Sequence, residues 1–194
     1  MENWETKQKD ILRRLRENDS TLTRLNLTET LVGNEGVKAI VNAMVYNTHL
    51  KELFLGETGI TIDGVELLAK MLSTNTTLLA LYLYRNPFGD QGLHLLLGAL
   101  PYNSSLKQLS LNETDITNCG AKDLADALKN NHTLEGVYLG GNKIDETGAQ
   151  YLIEMLEQNK SLVELYLWGN SVKDEVVFSL DTTLLIRKEQ TDCI

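Results

Sequence analysis

The residue types that could perform chemistry are few in this sequence and lie far apart. The three histidines are His49, His94 and His132, and the two cysteines are Cys119 and Cys193. No histidine has a cysteine or a second histidine at the spacing that a metal site requires. The sequence also contains no nucleophile–base pattern and no glycine-rich phosphate loop in the required context. We therefore predict no catalytic residue, no metal site and no cofactor, and we expect that the chain is not an enzyme.

Composition narrows the function classes further. The chain has 194 residues and a formal net charge of −9, with 27 acidic against 18 basic side chains. Recognition of nucleic acid needs clustered lysine and arginine, so we expect no nucleic-acid partner. No apolar run is long enough for a transmembrane helix, and no basic segment followed by an apolar run marks a signal peptide. With only two cysteines, the sequence predicts a cytoplasmic protein with no membrane partner.

A repeated leucine pattern must position whatever side chains carry function. Leucine accounts for 36 of the 194 residues. Two apolar columns follow a recurring leucine at a distance of three and five residues, and an Asn, or a Thr in its place, follows after eight, which is the signature of a leucine-rich repeat. The recurring leucine stands every 28 residues without insertion, at Leu22, Leu50, Leu78, Leu106, Leu134 and Leu162.

Each repeat predicts a short strand and a returning helix. Alternating leucines such as Leu25 and Leu27 indicate a strand with one buried face. A glycine such as Gly36 then opens a stretch with one apolar face, which predicts a helix of about 11 residues. Since every repeat returns by the same route, the strands must stack in parallel. We therefore predict an α/β fold, a short right-handed leucine-rich repeat solenoid with a concave parallel β-sheet and convex α-helices.

The repeats account for almost the whole sequence. We predict one leucine-rich repeat domain over residues 1–194, in which residues 1–21 supply an N-terminal capping helix, because a terminal repeat leaves a core face open. Leu180, Leu184 and Leu185 indicate a last helix, followed by a polar tail at 187–194. The six predicted repeats are residues 22–49, 50–77, 78–105, 106–133, 134–161 and 162–186.

Two polar columns are predicted to support the turns between strands and helices. Acidic residues at helix entrances, such as Asp90 and Asp145, are expected to complement the helix dipole. Asparagines stand where the helices end, and we expect each to adopt the left-handed conformation that closes a helix. These asparagines are Asn47, Asn75, Asn103, Asn131 and Asn159.

The turn sequences resemble those of the ribonuclease-inhibitor-like subfamily of leucine-rich repeats. The segments 86–92 (NPFGDQG) and 141–148 (GNKIDETG) are similar to that subfamily's turn, and the repeat length agrees. The helix-exit pattern from Ala99 and Leu100 to Asn103 and Leu106 is similar to repeats of NOD-like receptors and of tropomodulin-type actin regulators. The resemblance implies protein–protein recognition, usually on the concave sheet. It does not imply ribonuclease inhibition, since the cysteines typical of that inhibitor are missing.

Half of the aromatic residues stand where strand side chains point to the concave face. Six of the 12 aromatic residues fall in two adjacent columns there, and tyrosine and tryptophan are typical of interface hot spots. Three glycines near Tyr138, namely Gly136, Gly140 and Gly141, are expected to leave an uncovered stretch of backbone that a partner could approach closely. The predicted partner-binding residues are Phe54, Tyr82, Tyr84, Tyr138, Tyr166, Trp168, Glu52, Arg85 and Glu164.

We predict a monomeric protein–protein interaction module that binds its partner through this aromatic-rich concave sheet. Acidic residues around the aromatic columns favour a basic partner, although solvation alone also explains them. Stacked tyrosines would equally stabilise the sheet without binding anything. Two other functions stay open. A GTPase regulator of the Ran activator type would use Arg85 in trans, and a fragment of a larger receptor or cytoskeletal regulator would use its repeats for structure or self-assembly.

Overall fold

The computed structural model describes residues 4–177 together with Leu180 and Leu184, and strands and helices alternate along them. The strands are β1 (Arg24–Asn26), β2 (Glu52–Phe54), β3 (Ala80–Tyr82), β4 (Gln108–Ser110), β5 (Gly136–Tyr138) and β6 (Glu164–Tyr166). The α-helices are α1 (Trp4–Arg16), α2 (Gly33–Ala43), α3 (Ile62–Leu72), α4 (Gly89–Ala99), α5 (Asn118–Leu128) and α6 (Glu146–Gln158). A short 3-10 helix, Leu100–Tyr102, follows α4.

The six strands form one parallel sheet in the order in which they occur in the sequence. Residues one repeat apart pair with each other, as Leu25 pairs with Leu53 and Leu53 with Leu81. The middle residue of each strand is buried, so the core lies between the sheet and the layer of helices. This arrangement confirms the predicted leucine-rich repeat α/β solenoid.

Apolar side chains are buried at both ends of the described core. Helix α1 contacts α2 and buries Trp4, Leu12 and Leu15. At the other end, Leu180 and Leu184 are buried. Leu185 and the predicted tail, 187–194, lie outside the described residues, so the boundaries of the last repeat stay predictions. None of the helices in the described part of the chain has the length and apolar character needed to cross a bilayer.

Buried asparagines such as Asn86 tie a repeat to the one before it. The side-chain amide of Asn86 donates hydrogen bonds to the carbonyl oxygens of Leu55 and Leu83, at 2.7 and 2.9 Å. Its Oδ1 accepts the backbone N–H groups of Thr58 and Ile60, at 3.2 and 3.0 Å. All the hydrogen-bonding capacity of one buried amide is thus used to hold two successive turns in register.

The asparagines at the helix exits do not adopt the left-handed conformation, and that prediction is wrong. Asn103 has φ −100° and ψ 125°, and none of the five appears among the residues with positive φ. Its amide instead donates to the carbonyl oxygens of Leu72 and Asn75, while its Oδ1 accepts the N–H groups of Ser105 and Leu106. The extended backbone lets the side chain turn inward and satisfy these buried groups.

The acidic residues at helix entrances do more than complement the helix dipole. The carboxylate of Asp90, in α4, accepts the backbone N–H and the hydroxyl of Thr117 in the next repeat, at 2.8 and 2.6 Å. Asp145 caps α6 by accepting the N–H of Thr147 at 2.7 Å. One acidic residue therefore links two repeats, and the other satisfies the start of its own helix.

Candidate functional site

The sheet register brings the predicted aromatic side chains onto one face. Because the pairing is in register with the repeat, the third residues of the six strands form one row, and they point away from the helices. This row consists of Asn26, Phe54, Tyr82, Ser110, Tyr138 and Tyr166. Buried Ser110 divides it into two aromatic pairs.

The rings of each pair stand parallel and stack on each other. Phe54 and Tyr82 have ring centroids 4.2 Å apart with 5° between their planes. Tyr138 and Tyr166 have centroids 5.4 Å apart with 8° between their planes. Stacking uses the ring faces inside each pair, so contact with the partner ring stabilises the sheet.

Two further aromatic side chains lie flat on glycines that stand one repeat earlier in the sequence, just after the preceding strand. A Cβ atom added to Gly56 would collide with the ring of Tyr84, and one added to Gly140 would collide with the indole of Trp168. Each ring therefore leans over one repeat and rests directly on the backbone. We call Phe54, Tyr82 and Tyr84 the N-terminal aromatic cluster.

The corresponding group three repeats later is Tyr138, Tyr166 and Trp168, which we call the C-terminal aromatic cluster. It is the more open of the two. Tyr166 is 39% exposed and Trp168 is 54% exposed, whereas all three members of the N-terminal aromatic cluster are only partly exposed.

The backbone at the three glycines is not uncovered, and that expectation is wrong. Trp168 covers Gly140, and the Cγ atom of Glu113 lies 2.7 Å from where a Cβ of Gly141 would be. The hydroxyl of Tyr138 lies 3.2 Å from the corresponding position on Gly136. The absence of side chains at these positions makes room for neighbouring side chains of the same chain, since long rings and carboxylates lean across one repeat.

Tyrosine hydroxyls fix three of the rings through partners in other repeats. Tyr82 donates to Oε1 of Gln108 at 2.8 Å, and Tyr84 donates to the hydroxyl of Thr28 at 3.2 Å. Tyr138 donates to Oε2 of Glu164 at 2.5 Å. Burial raises the pKa of Tyr82, and burial together with the hydrogen bond to Glu164 raises the pKa of Tyr138 strongly.

A guanidinium closes one side of the N-terminal aromatic cluster. The Cζ atom of Arg24 lies 4.3 Å from the ring centroid of Phe54, within the range of a cation–π interaction. The Nε atom of Arg24 lies 3.6 Å from a carboxylate oxygen of Glu52. A ring, a cation and a carboxylate therefore come together on β1 and β2.

Charged residues border the sheet where the strands end. We call Glu29, Glu57, Arg85 and Glu113 the strand-end rim. All four have left-handed backbone, with φ between 54° and 58°. The guanidinium of Arg85 lies between the carboxylates of Glu57 and Glu113, at 3.2 and 3.0 Å, and hydrogen bonding to Glu113 and then Glu57 raises its pKa.

The structure thus places all nine predicted residues on the concave face or its border, in different surroundings. Sequence reasoning gave no role to Thr28 and Gln108, which anchor tyrosine hydroxyls, or to Gly56 as a support for a ring. A signal for the supports was present, since Gly56 and Gly140 each precede a large aromatic residue by one repeat length.

In the described ranges, no three His, Cys, Asp or Glu side chains come together in a way that could hold a metal ion.

Two solved structures share the architecture of this chain. One is described as leiomodin-1 actin-binding site 2, with 19% identity, a TM-score of 0.58, and coverage of 95% of this chain and 92% of that chain. The other is the tropomodulin C-terminal domain of Caenorhabditis elegans, with 21% identity, a TM-score of 0.64, and coverage of 78% and 92%. These similarities show the fold. Among curated proteins, none matches the sequence significantly.

Family models give the assignment. Residues 102–125 and 130–152 match a leucine-rich repeat model. Residues 5–113, more than half of the chain, match the model of the TMOD/LMOD leucine-rich domain. Together with the tropomodulin-type repeat pattern, this match means that the chain belongs to the TMOD/LMOD leucine-rich domain family.

Proposed function

We propose that this chain is a protein-binding module whose contact surface is the concave sheet, centred on the C-terminal aromatic cluster. The observation that carries the proposal is the exposure of Tyr166 and Trp168 side by side on β6 and just beyond it. Large aromatic side chains in water cost free energy, which burial against a partner recovers, and they lose little side-chain entropy on binding. Tyr138 and Glu164 hold the cluster in place through their hydrogen bond.

The remaining predicted residues would frame this surface. Phe54, Tyr82 and Tyr84 extend it as a rigid aromatic row, with Glu52 beside Phe54 through the guanidinium of Arg24. Arg85 and its two carboxylate partners would border it. In this proposal, the stacked rings serve both stability and binding, because they give the exposed residues a fixed platform.

Actin is the partner that we propose to test first. One protein of similar fold is described as an actin-binding site of leiomodin-1, and the chain belongs to the family that includes the leiomodins. A monomeric state and a cytoplasmic location are predictions from the sequence and agree with a soluble actin partner.

The test is the affinity of the full chain for monomeric actin, measured by biolayer interferometry. We expect wild type to bind and the double variant Tyr166→Ala/Trp168→Ala to bind at least about tenfold more weakly, as for loss of hot-spot residues. A matched control is Tyr46→Ala/Tyr102→Ala, which removes two exposed tyrosines outside the sheet. Unchanged binding of the sheet variant, or equal loss in the control, would contradict the proposed surface.

The GTPase-regulating alternative has less support. An arginine that acts in trans must leave its own surface and reach into a partner's site. The guanidinium of Arg85 is instead held by Glu57 and Glu113.

A self-assembling role is tested by light scattering, where a mass that rises with concentration would favour it over the proposed monomer.

A further inference from the structure

The sheet and the layer of helices do not begin at the same repeat. Helix α1 packs against α2, and its buried residues Leu12 and Leu15 stand one repeat length before Ile40 and Ala43 of α2. Helix α1 therefore occupies the helix position of an additional repeat in front of the first one. In the described part of the chain no strand accompanies it, because the sheet begins with β1.

The pairing of β2 shows which backbone groups lie on the outer edge of β1. On β2, the N–H of Glu52 and the carbonyl oxygen of Phe54 are both hydrogen-bonded to the first repeat. Their equivalents one repeat earlier are the N–H of Arg24 and the carbonyl oxygen of Asn26, which point outward, where no other described strand lies. The N–H of Thr28 is already bonded to Oδ1 of Asn26 at 3.0 Å. A strand residue directs its N–H and its carbonyl to the same side, so Arg24 and Asn26 each offer a donor and an acceptor to an added strand.

The apolar side chains beneath this edge are less completely covered than those further along the sheet. Leu22, Leu25 and Leu27 keep exposures of 6%, 5% and 2%, whereas the same three positions of the second repeat are at 0%. An added strand with apolar residues at alternate positions would fill the space between these leucines and α1.

The charge at this end of the chain is basic, although the net charge of the chain is −9. The side chain of Arg24, on the edge strand, is 60% exposed. An acidic residue at the first position of an added strand would lie beside Arg24, as Glu52 does on the other side. Helix α1 contributes two acidic residues, Glu5 and Asp10, against five basic residues, which are Lys7, Lys9, Arg13, Arg14 and Arg16.

We propose that the outer edge of β1 binds an extended acidic segment of a partner as an additional parallel strand, with α1 already in place behind it. The segment has an acidic side chain next to Arg24 and apolar side chains at alternate positions toward α1. A second copy of this chain fits the edge less well, because a strand of the repeat brings its own helix and α1 occupies that place. The edge lies at the opposite end of the sheet from the C-terminal aromatic cluster, so the inference goes beyond the proposed function and does not depend on it.

The test uses a fluorescein-labelled peptide with the sequence of residues 50–57 (LKELFLGE) and fluorescence anisotropy with the full chain. This peptide carries Glu52 at the position that meets Arg24, and leucines at the apolar positions. We expect saturable binding to wild type. Methylation of the Leu55 nitrogen removes the N–H that would donate to the carbonyl oxygen of Asn26, and this peptide should bind at least about tenfold more weakly.

Two substitutions at one position test the edge on the protein itself. Asn26→Pro removes an outward N–H and leaves the hydrogen bonds between β1 and β2 in place, since proline is tolerated on edge strands with this orientation. We expect it to weaken peptide binding at least about tenfold. Asn26→Ala keeps the N–H and should bind the peptide at least as tightly as wild type. Circular dichroism checks that both variants are folded, and the methylated peptide tests the same hydrogen bonding on the unaltered chain.

A charge exchange tests the register. Arg24→Glu should weaken peptide binding about threefold, since an exposed ion pair contributes modestly, and a Glu52→Lys peptide should regain affinity for this variant. Lys173→Glu makes the same charge change at an exposed position after β6 and should leave the affinity unchanged. Equal weakening by both protein variants would mean that overall charge governs binding, and would overturn the register.

The outcomes separate this inference from the proposed function. Peptide binding that is lost in Asn26→Pro and kept in Asn26→Ala supports the open edge, whether or not actin binds the concave sheet. Absence of binding to wild type would mean that Arg24 and the short strand protect the edge, and equal binding to Asn26→Pro would place the peptide elsewhere. Either result overturns the inference, as does a wild-type dimer in analytical ultracentrifugation that Asn26→Pro alone converts to monomer, because that result assigns the edge to a second copy.

Discussion

The N-terminal and C-terminal aromatic clusters are built by the same repeat positions, yet one is closed and the other open. In the first, Arg24 lies over Phe54, and Thr28 accepts the hydroxyl of Tyr84. In the second, Tyr166 and Trp168 are exposed on the last described strand and just beyond it. The difference teaches that the repeat fixes where aromatic side chains stand, whereas neighbouring side chains decide whether they are available to a partner.

The largest losses of stability are expected from replacing buried asparagines. These losses should be equal near the two aromatic clusters, because the same hydrogen bonds recur in both regions. Asn142 repeats the contacts of Asn86, donating to the carbonyl oxygens of Leu111 and Leu139 and accepting the N–H groups of Thr114 and Ile116. Replacement by alanine leaves several buried backbone groups unsatisfied. We expect Asn86→Ala and Asn142→Ala each to lower the free energy of unfolding by about 3 kcal/mol.

Urea unfolding followed by circular dichroism measures both asparagine variants. Glu157→Gln, at an exposed position of α6, serves as a control that should change stability by less than about 0.5 kcal/mol. A decrease in the free energy of unfolding below about 1 kcal/mol for either asparagine variant would show that the side-chain hydrogen bonds of that asparagine do not stabilise the turns as described.

The glycine supports should distinguish the closed region from the open one. An added Cβ collides with Tyr84 in Gly56→Ala and with Trp168 in Gly140→Ala. Tyr84 is tied to Thr28 and resists displacement, so we expect Gly56→Ala to cost about 1–3 kcal/mol. Exposed Trp168 can swing away, so Gly140→Ala should cost less than about 1 kcal/mol.

Thermal unfolding of the two alanine variants gives the comparison, and tryptophan fluorescence should show a changed environment of Trp168 only in Gly140→Ala. Equal costs, or a larger cost for Gly140→Ala, would mean that the C-terminal aromatic cluster is as rigidly closed as the N-terminal one.

The tyrosine partners predict a pH dependence that differs between the clusters. The pKa of Tyr138 is raised by burial and by its hydrogen bond to the charged Glu164, whereas the hydroxyl of Tyr82 has the neutral Gln108 as partner. A raised folded-state pKa means stability that is complete below the unfolded pKa of about 10 and is lost as pH rises above it. We expect melting temperature to fall above about pH 10, and Glu164→Gln to reduce this fall.

Melting temperatures between about pH 9 and 11.5, on either side of the ordinary tyrosine pKa, measure this dependence. Gln108→Ala removes the partner of Tyr82 without removing a charge and should leave most of the alkaline loss in place. An alkaline fall that is identical in wild type and Glu164→Gln would contradict the assigned role of Glu164.

The smallest expected loss of stability comes from removing the guanidinium that covers the N-terminal aromatic cluster. Arg24→Gln removes the guanidinium from Phe54, and at this exposed position we expect a cost of about 0.5–1 kcal/mol. Chemical unfolding at low and high salt should show the cost in both, because the ring contact is less sensitive to screening than the ion pair with Glu52. A cost that disappears at high salt would assign the contribution to the ion pair alone.

The fold could be predicted from the sequence because the repeat leaves little freedom. A period of 28 residues with alternating leucines fixes which residues pair, and Leu25, Leu53 and Leu81 pair accordingly. The conformation of Asn103 could not be derived in the same way. Asparagine suits both a left-handed cap and an inward-turned amide, and the choice depends on unsatisfied carbonyls of Leu72 and Asn75 in the preceding repeat.

The candidate site was predictable as a set of columns, but its surroundings were not. The sequence places Tyr84 and Trp168 in one column, and it does not say that both rings lean across a repeat onto Gly56 and Gly140. The direction in which a ring leans depends on side-chain rotamers and on space in the neighbouring repeat. This is why the glycines were predicted to be open to a partner when they are covered by the chain itself.

The central claim, that the open C-terminal aromatic cluster receives the partner, is tested most directly by fluorine NMR. The chain has two tryptophans, so labelling with 5-fluorotryptophan gives one signal from Trp168 and an internal reference from buried Trp4. On addition of unlabelled monomeric actin, we predict that the Trp168 signal shifts while the chemical shift of Trp4 stays the same. An unshifted Trp168 signal under conditions where actin is bound would contradict the claim.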